Sequence, residues 1–259
     1  LEFVEKKDKR LIYHDQIQKR NLFYNSGEEL QLEPIKKSFS NTAFTILQSR
    51  LKSKNMSAGI TVLLYGSPGT GKTETVYQLA KKHNRPIFKV EISETKSMWF
   101  GEIQKLVKKI FTDYYNFKKT QKICPILLFN ESDAIIGKRK SAGSSSVSDT
   151  ENAIQNVLLE ELENFDGILF ATSNLVANLD SAFEHRFLFK VKYENPSTEN
   201  AAKIWRSKLP ILSENEVENI ARKSIMDEII FGTKPNFERI LSFCENEKWN
   251  SKPKNTIGF

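Results

Sequence analysis

One stretch of the sequence has the residue types and spacing that hold a phosphate chain. It matches the pattern G-x-x-x-x-G-K-[ST] and reads Gly66-Ser67-Pro68-Gly69-Thr70-Gly71-Lys72-Thr73. Its glycines let backbone N–H groups curl around phosphate oxygens, and the helix predicted to follow adds the positive end of its dipole. Lys72 is expected to reach the β- and γ-phosphates, and Thr73 to place its hydroxyl on Mg²⁺. We therefore predict a nucleotide site formed by these residues and the adjoining Glu74.

A second set of polar residues follows the apolar run 126–129, which ends in Asn130-Glu131-Ser132-Asp133. If this run is a strand of a parallel sheet, its carboxyl end lies in the crevice that holds the phosphates. Glu131 is then placed to polarise a water molecule for attack on the γ-phosphate. The alternative is a solvated strand end with no part in chemistry.

The elements that would position these residues follow an alternating pattern. Five apolar runs predict strands, at residues 60–65, 86–92, 126–129, 167–172 and 187–193. Between them lie segments with apolar residues at helical spacing. Strands that alternate with helices predict βαβ units and a parallel sheet, and uninterrupted apolar runs indicate strands covered on both faces. After residue 196 only helical patterns remain.

These patterns divide the chain into three parts. Residues 1–45 are polar and predict a helical lead-in arm. Residues 46–195 predict an α/β nucleotide-binding domain, and residues 196–259 predict a small α-helical domain. The chain begins without Met, so we expect it to be a piece of a longer protein.

Composition excludes several classes of protein. Hydrophobic residues make up 39% of the 259 residues, which is enough for a core and excludes a disordered chain. Two cysteines exclude a disulfide framework, and the three histidines are not spaced like zinc ligands. The longest apolar stretch is far shorter than the roughly 20 residues of a membrane span, and the first residues lack a signal-peptide pattern. A cytoplasmic protein with no membrane partner is expected.

The ordered set of motifs resembles the AAA+ ATPases, specifically their classical AAA branch. The resemblance covers roughly residues 45–250 and includes five segments in the family's order: Walker A at 66–73, a pore-loop-like segment at 97–102, Walker B at 127–131, sensor 1 at 171–174 and an arginine-finger segment at 179–187. It implies a P-loop NTPase sheet flanked by helices, followed by a helical lid. It also implies ATP and Mg²⁺ as cofactors.

The resemblance also implies roles for individual residues. Asn174 corresponds to sensor 1, which holds the attacking water or the γ-phosphate, although a turn-forming Asn is the alternative. Arg186 corresponds to the arginine finger that reaches a neighbouring subunit's ATP; a surface ion-pair Arg is the alternative. Trp99 and Phe100 correspond to the pore-loop pair that grips substrate polypeptide, and a core role for Trp99 is the alternative.

Three positions depart from the family pattern. Asn130 stands where Walker B usually has Asp, and an amide offers Mg²⁺ only a neutral oxygen, so turnover is expected to be slow. Asp133 is close enough in sequence to compensate partly, and a bacterial subset of the family also carries Asn here. His185 replaces a second finger arginine. The sensor-2 position is not assigned, with Lys234 and Arg239 as candidates.

The leading functional hypothesis is a homo-oligomeric ring, a hexamer, that hydrolyses ATP between subunits to remodel or translocate a protein substrate. One alternative is a binding module in which Asn130 prevents hydrolysis and ATP controls assembly. Another is a DNA-associated AAA+ ATPase, supported only by the basic run Lys138-Arg139-Lys140, which otherwise is a solvated loop. The net charge of +7 does not by itself indicate a nucleic-acid partner.

Overall fold

The computed structural model describes residues 8–91, 103–137, 146–175, 180–208, 214–232 and 237–250. The strands are β1 (Leu11–Ile12), β2 (Ile60–Gly66), β3 (Ile87–Glu91), β4 (Ile126–Asn130), β5 (Ile168–Ser173) and β6 (Phe189–Tyr193). They form one sheet in the order β1-β3-β4-β5-β2-β6. The pairs β3–β4, β4–β5, β5–β2 and β2–β6 are parallel, and β1 is antiparallel to β3. The predicted α/β fold class is confirmed, with β1 as an antiparallel addition.

The described helices lie on both faces of the sheet and at its carboxyl end. They are α1 (Ser26–Ser38), α2 (Asn41–Ser53), α3 (Lys72–Lys82), α4 (Ile103–Thr120), α5 (Asp133–Ile136), α6 (Ser146–Glu163), α7 (Ser181–Glu184), α8 (Thr198–Lys208), α9 (Glu214–Phe231) and α10 (Phe237–Asn250). Successive side chains of a strand point to opposite faces. Leu63 of β2 therefore packs in one core cluster with α4 and α6, whereas Val62 and Leu64 pack in the other with α1 to α3.

The described part of the lead-in segment differs from the predicted arm. Ile17, Leu32, Ile35 and Phe39 are buried in the same cluster as strand β2, and the strand β1 extends the sheet. The predicted boundary after residue 45 falls inside α2. Leu32, Ile35 and Phe39 have the i, i+3, i+7 spacing of one helix face, but that spacing covers only two turns and does not show that the sheet buries them.

The three described helices after residue 196 share a small cluster of their own. Ile204 of α8, Ile220 of α9, and Ile240 and Phe243 of α10 are buried against one another. Asn200 ties this helical unit to the lead-in segment, because its Nδ2 donates to the carbonyl of Tyr24 at 2.9 Å. In the described ranges, none of the helices has the length and apolar character needed to cross a membrane.

Candidate nucleotide-binding site

The phosphate loop lies between the end of β2 and the start of α3, as the spacing predicts. Three of its glycines have positive φ, +140° at Gly66, +71° at Gly69 and +92° at Gly71. The loop borders a cavity of about 660 Å³ together with Glu131 and Asn174. Other predicted residues in the lining are Pro68, Gly69, Thr70, Gly71, Lys72, Thr73 and Glu74. One cavity therefore joins residues from the carboxyl ends of three adjacent strands, β2, β5 and β4.

The same cavity has lining residues that the sequence motifs did not indicate. Residues 18–22 border it from the lead-in segment, while Ser207 and Glu238 border it from α8 and α10. Arg20 forms an ion pair with Glu74 at 3.1 Å. The lead-in segment and the helical unit therefore complete a cavity whose floor is the phosphate loop. Of these three parts, only the phosphate loop has a residue spacing that matches a sequence motif.

Lys72 lies at the floor of the cavity with its side chain largely buried. Its Nζ donates to the carbonyl oxygens of Gly66 at 2.9 Å and Ser67 at 2.7 Å. Burial lowers the pKa of Lys72 to about 8, against the opposing attraction of Asp133 and Glu238. Phosphate oxygens would give this ammonium an anionic partner in place of neutral carbonyls.

Thr73 and Asn130 bring two oxygen atoms together beside the phosphate loop. Thr73 Oγ1 donates to Asn130 Oδ1 at 2.8 Å. A hydroxyl and an amide oxygen are hard donors, and Mg²⁺ in nucleotide sites takes only one or two protein ligands besides phosphates and water. The donor set therefore fits Mg²⁺, with nucleotide phosphates supplying the charge. Among the described residues, no group of three or more His, Cys, Asp or Glu side chains is placed to hold a metal ion.

The other side of the Asn130 amide contacts a carboxylate that no sequence motif indicates. Asn130 Nδ2 donates to Glu91 Oε2 at 2.9 Å, and Glu91 lies opposite Asn130 in the parallel register of β3 and β4. Burial alone would raise the pKa of Glu91, but hydrogen bonds from Lys89 and Asn130 hold it below its ordinary value. Only the pairing of two distant strands reveals this neighbour.

Asp133, which proximity in sequence predicts to compensate partly for Asn130, makes a contact elsewhere. Its Oδ1 accepts a hydrogen bond from the backbone N–H of Asn174 at 2.8 Å. This contact fixes the backbone at the end of β5, where the exposed Asn174 side chain borders the cavity. The carboxylate in contact with Asn130 is thus Glu91, and Asp133 orients the predicted sensor segment.

Thr172 connects the two predicted residues of the β4 end. Its Oγ1 donates to Asn130 Oδ1 and accepts from the backbone N–H of Glu131, each at 3.1 Å. Glu131 has φ of +52°, a left-handed conformation that non-glycine residues rarely adopt. The turn is held further by Ser132, whose N–H donates to the Thr172 carbonyl at 2.8 Å. These bonds place the exposed Glu131 at the cavity.

Arg186 lies apart from the residues that border this cavity. Its Nη2 donates to Glu163 Oε1 at the end of α6, and its side chain is 39% exposed. Thr61 Oγ1 of β2 donates to the Arg186 carbonyl at 2.9 Å, which fixes the backbone of the segment to the sheet. The structure therefore does not bring Arg186 to its own chain's phosphate loop.

The remaining predicted residues divide into two groups. Arg239 makes two hydrogen bonds to Asp227, each at 2.8 Å, so its guanidinium is engaged within the helical unit. The predicted pore-loop residues Trp99 and Phe100 lie outside the described residues. The same holds for the basic run 138–140 and for Lys234.

The chain is similar in sequence to a family model and to several known proteins. The model of the ATPase family associated with various cellular activities (AAA) matches residues 62–195. A 26S proteasome regulatory subunit 7 homolog of Saccharomyces cerevisiae is 32% identical over 155 residues, which is 56% of this chain and 31% of that protein. Vacuolar protein sorting-associated protein 4A of Rattus norvegicus is 29% identical over 173 residues, 63% of this chain and 38% of that protein.

The solved structures show the same fold. The crystal structure of the FIGL-1 AAA domain has a TM-score of 0.59 at 17% identity and covers 93% of this chain and 86% of that one. A chain in the E. coli MS115-1 HORMA:CdnC:Trip13 complex has a TM-score of 0.58 at 17% identity, covering 95% and 96%. The chain spans about a third of the length of the first two curated relatives that it matches.

Proposed function

The chain belongs to the ATPase family associated with various cellular activities (AAA), and we propose that it hydrolyses ATP at the cavity around Lys72 as one subunit of a ring. One observation carries the proposal. Lys72 and Thr73 after β2, Glu131 after β4 and Asn174 after β5 border one cavity. A phosphate-binding loop, a carboxylate and a polar sensor at neighbouring strand ends are the parts that phosphoryl transfer to water needs.

Each side chain has a distinct part in the proposed reaction. Backbone N–H groups of the phosphate loop and the Lys72 ammonium bind the triphosphate, while the start of α3 adds its dipole. Bound Mg²⁺ would supply positive charge against the β- and γ-phosphates, held by Thr73 and Asn130. Glu131 accepts the proton of the attacking water, and Asn174 orients that water against the γ-phosphate. Catalysis is then positioning and electrostatics, with no covalent intermediate on the protein.

Assembly into a homo-oligomeric ring, a hexamer, completes the proposed site. Arg186 does not border its own chain's cavity but carries an exposed guanidinium on a segment anchored to β2. Such a residue can serve a nucleotide only across a subunit interface, where it would neutralise charge that develops in the transition state. The substrate is proposed to be a protein, because relatives include subunits of protein-handling assemblies such as the 26S proteasome.

The test is Mg²⁺-dependent ATP turnover measured over a series of protein concentrations. We expect turnover per chain to rise with concentration as rings form and to fall at least about 100-fold in Glu131→Gln and Arg186→Ala. Arg222→Ala is the matched control, since Arg222 forms an exposed ion pair with Glu218 at 2.6 Å on α9. If ATP binds but no phosphate is released at any protein concentration, the proposal of ATP hydrolysis is wrong. The protein is then a binding module controlled by nucleotide.

Mixing the two inactive variants tests whether Arg186 acts across the interface. Glu131→Gln chains keep the finger, and Arg186→Ala chains keep the carboxylate. In randomly mixed rings about a quarter of the interfaces would combine an intact cavity with an intact finger. We expect the mixture to recover turnover that neither variant shows alone. A mixture as inactive as its components would contradict the role of Arg186 in trans.

A further inference from the structure

Glu91 is the carboxylate in direct contact with the amide of Asn130. It is the last residue of β3, and its register partner in the neighbouring parallel strand is Asn130. Its Oε2 accepts the hydrogen bond from Asn130 Nδ2 at 2.9 Å. Neither the motif spacing nor the proposed reaction assigns this residue a part.

An amide has two chemically different ends, and only one of them can ligate a cation. The amide oxygen accepts or ligates, whereas the NH₂ group only donates. The hydroxyls of Thr73 and Thr172, which contact Asn130 Oδ1 at 2.8 Å and 3.1 Å, can donate or accept and therefore tolerate either end. An ionised carboxylate has no proton to donate, so Glu91 accepts only the NH₂ end. Glu91 is the neighbour that decides which way the amide faces.

The Glu91 carboxylate is itself fixed. Its Oε1 forms an ion pair with Lys89 Nζ, two residues earlier on β3, while its Oε2 takes the Asn130 hydrogen bond. Both side chains are more than two-thirds buried, with 23% exposure for Lys89 and 28% for Glu91. The Lys89 ammonium also lies 5.9 Å from the centre of the Tyr77 ring. An ammonium on one side and an amide NH₂ on the other leave this carboxylate one orientation.

We propose that Glu91 is a positioning residue of the magnesium site, which holds Asn130 Oδ1 toward the cation and supplies the nearby negative charge that Asn130 lacks. The inference rests on the proposed function, because it concerns the cation held by Thr73 and Asn130. It also accounts for the amide at this position. An Asp at residue 130 would place two carboxylates in contact, which like-charge repulsion disfavours, so the acid on β3 and the amide on β4 are complementary.

The substitution Glu91→Gln reverses this arrangement with almost no change in shape. The Lys89 ammonium requires an oxygen, so a glutamine at 91 turns its Oε1 to Lys89 and its NH₂ to residue 130. Asn130 must then offer its own oxygen to residue 91 and turn its NH₂ toward Thr73. In the exchanged double variant Glu91→Gln/Asn130→Asp, the aspartate accepts the glutamine NH₂ and still presents an oxygen to the cation. The double variant has the net charge of the wild type.

The experiment is a titration of the protein–ADP complex with Mn²⁺, followed by electron paramagnetic resonance of the free ion. Partners of a metal ligand change metal affinity by about 10–100-fold when they are substituted, so we expect Glu91→Gln to weaken Mn²⁺ binding at least about tenfold. The exchanged double variant should return to within about threefold of the wild type. ADP affinity in EDTA and the midpoint of thermal unfolding should stay unchanged in both.

Glu194→Gln is the matched control, because Glu194 forms an ion pair with Lys192 at 2.9 Å with the same two-residue spacing at the end of β6. It should bind Mn²⁺ as the wild type does. Unchanged Mn²⁺ affinity in Glu91→Gln, or no recovery in the double variant, overturns the role of Glu91 while the proposed function stands. Absence of Mn²⁺ binding in the wild-type ADP complex overturns the proposed magnesium site and, with it, this inference.

Discussion

The hydroxyl of Thr73 donates a hydrogen bond of 2.8 Å to Oδ1 of Asn130, across 57 positions of the sequence. One residue opens α3 after the phosphate loop, and the other ends β4, two strands away in the sheet. The two oxygens lie close enough for one cation to contact both. The Thr73 hydroxyl would then point its proton away from Asn130. A neutral amide thus stands where the resemblance to the AAA family leads us to expect a carboxylate.

This relationship predicts the effect of Thr73→Val, which keeps the shape of the side chain but removes the oxygen. Mg²⁺ should strengthen ADP binding in the wild type, and the gain should shrink about tenfold in the variant, since a coordinating ligand is lost. Calorimetry of ADP binding with Mg²⁺ and with EDTA measures the gain. Thr73→Ser should retain it, as should Thr70→Val, whose hydroxyl bonds the Ser67 carbonyl at 2.8 Å instead. Equal gains in Thr73→Val and wild type would contradict the prediction.

The sequence predicted the residues whose signal is local. Spacing alone predicts the phosphate loop and its position between a strand and a helix, and apolar runs predict strands β2 to β6 to within about two residues. The two-residue strand β1 has no period to detect, and it forms because β3 offers a free edge. In the lead-in segment, Leu32, Ile35 and Phe39 have a short helical spacing, but the sheet residues that bury them are distant in sequence.

The neighbours of the site residues required the structure. Asp133 and Asn130 are three residues apart in sequence, so proximity along the chain suggested that Asp133 would compensate for the amide. The helical turn of α5 instead directs Asp133 to the backbone of Asn174. Glu91, 39 positions away, reaches Asn130 through the register of two parallel strands. Motifs predict which residues act, but strand register determines which residues support them.

The lowered pKa of Lys72 predicts that nucleotide binding takes up protons. At a pKa of about 8, about half of the empty molecules carry a neutral Lys72 at pH 8. Phosphates favour the charged form and raise this pKa, so ADP binding without metal should take up about half a proton at pH 8 and almost none at pH 6.5. ADP affinity should consequently fall as the pH rises above 8. Calorimetry in two buffers of different ionisation enthalpy measures the uptake.

The control for this proton uptake is Lys72→Arg, whose guanidinium remains charged throughout this range. The variant should bind ADP without proton uptake at pH 8. Uptake of the same size in the variant and the wild type would assign the proton to the nucleotide or to another group.

Gly66 should tolerate no side chain. It has φ of +140°, and a Cβ built on it would lie 2.0 Å from the backbone oxygen of Tyr193 in β6. Gly66→Ala should therefore lower the free energy of unfolding by at least about 3 kcal/mol, measured in urea without nucleotide. Gly27→Ala is the control, because a Cβ there meets no atom within 4 Å, and its stability should stay within about 1 kcal/mol of the wild type. A small loss in Gly66→Ala would mean that β2 and β6 can separate locally.

The ion pair between Arg186 and Glu163 predicts a competition between contacts within one chain and contacts across the subunit interface of the proposed ring. Both side chains are exposed, and an exposed pair contributes less than about 1 kcal/mol, or at most about fivefold in an equilibrium. Glu163→Gln should therefore lower the protein concentration of half-maximal ATP turnover by up to about fivefold, because Arg186 is released for the neighbouring nucleotide. Glu160→Gln, on the same helix as Glu163, loses only a 3.7 Å pair with Lys108 of α4 and should have no effect. If Glu163→Gln instead lowers the maximal turnover at saturating protein concentration, the predicted competition is wrong. The Glu163 carboxylate then holds Arg186 in the position in which it acts.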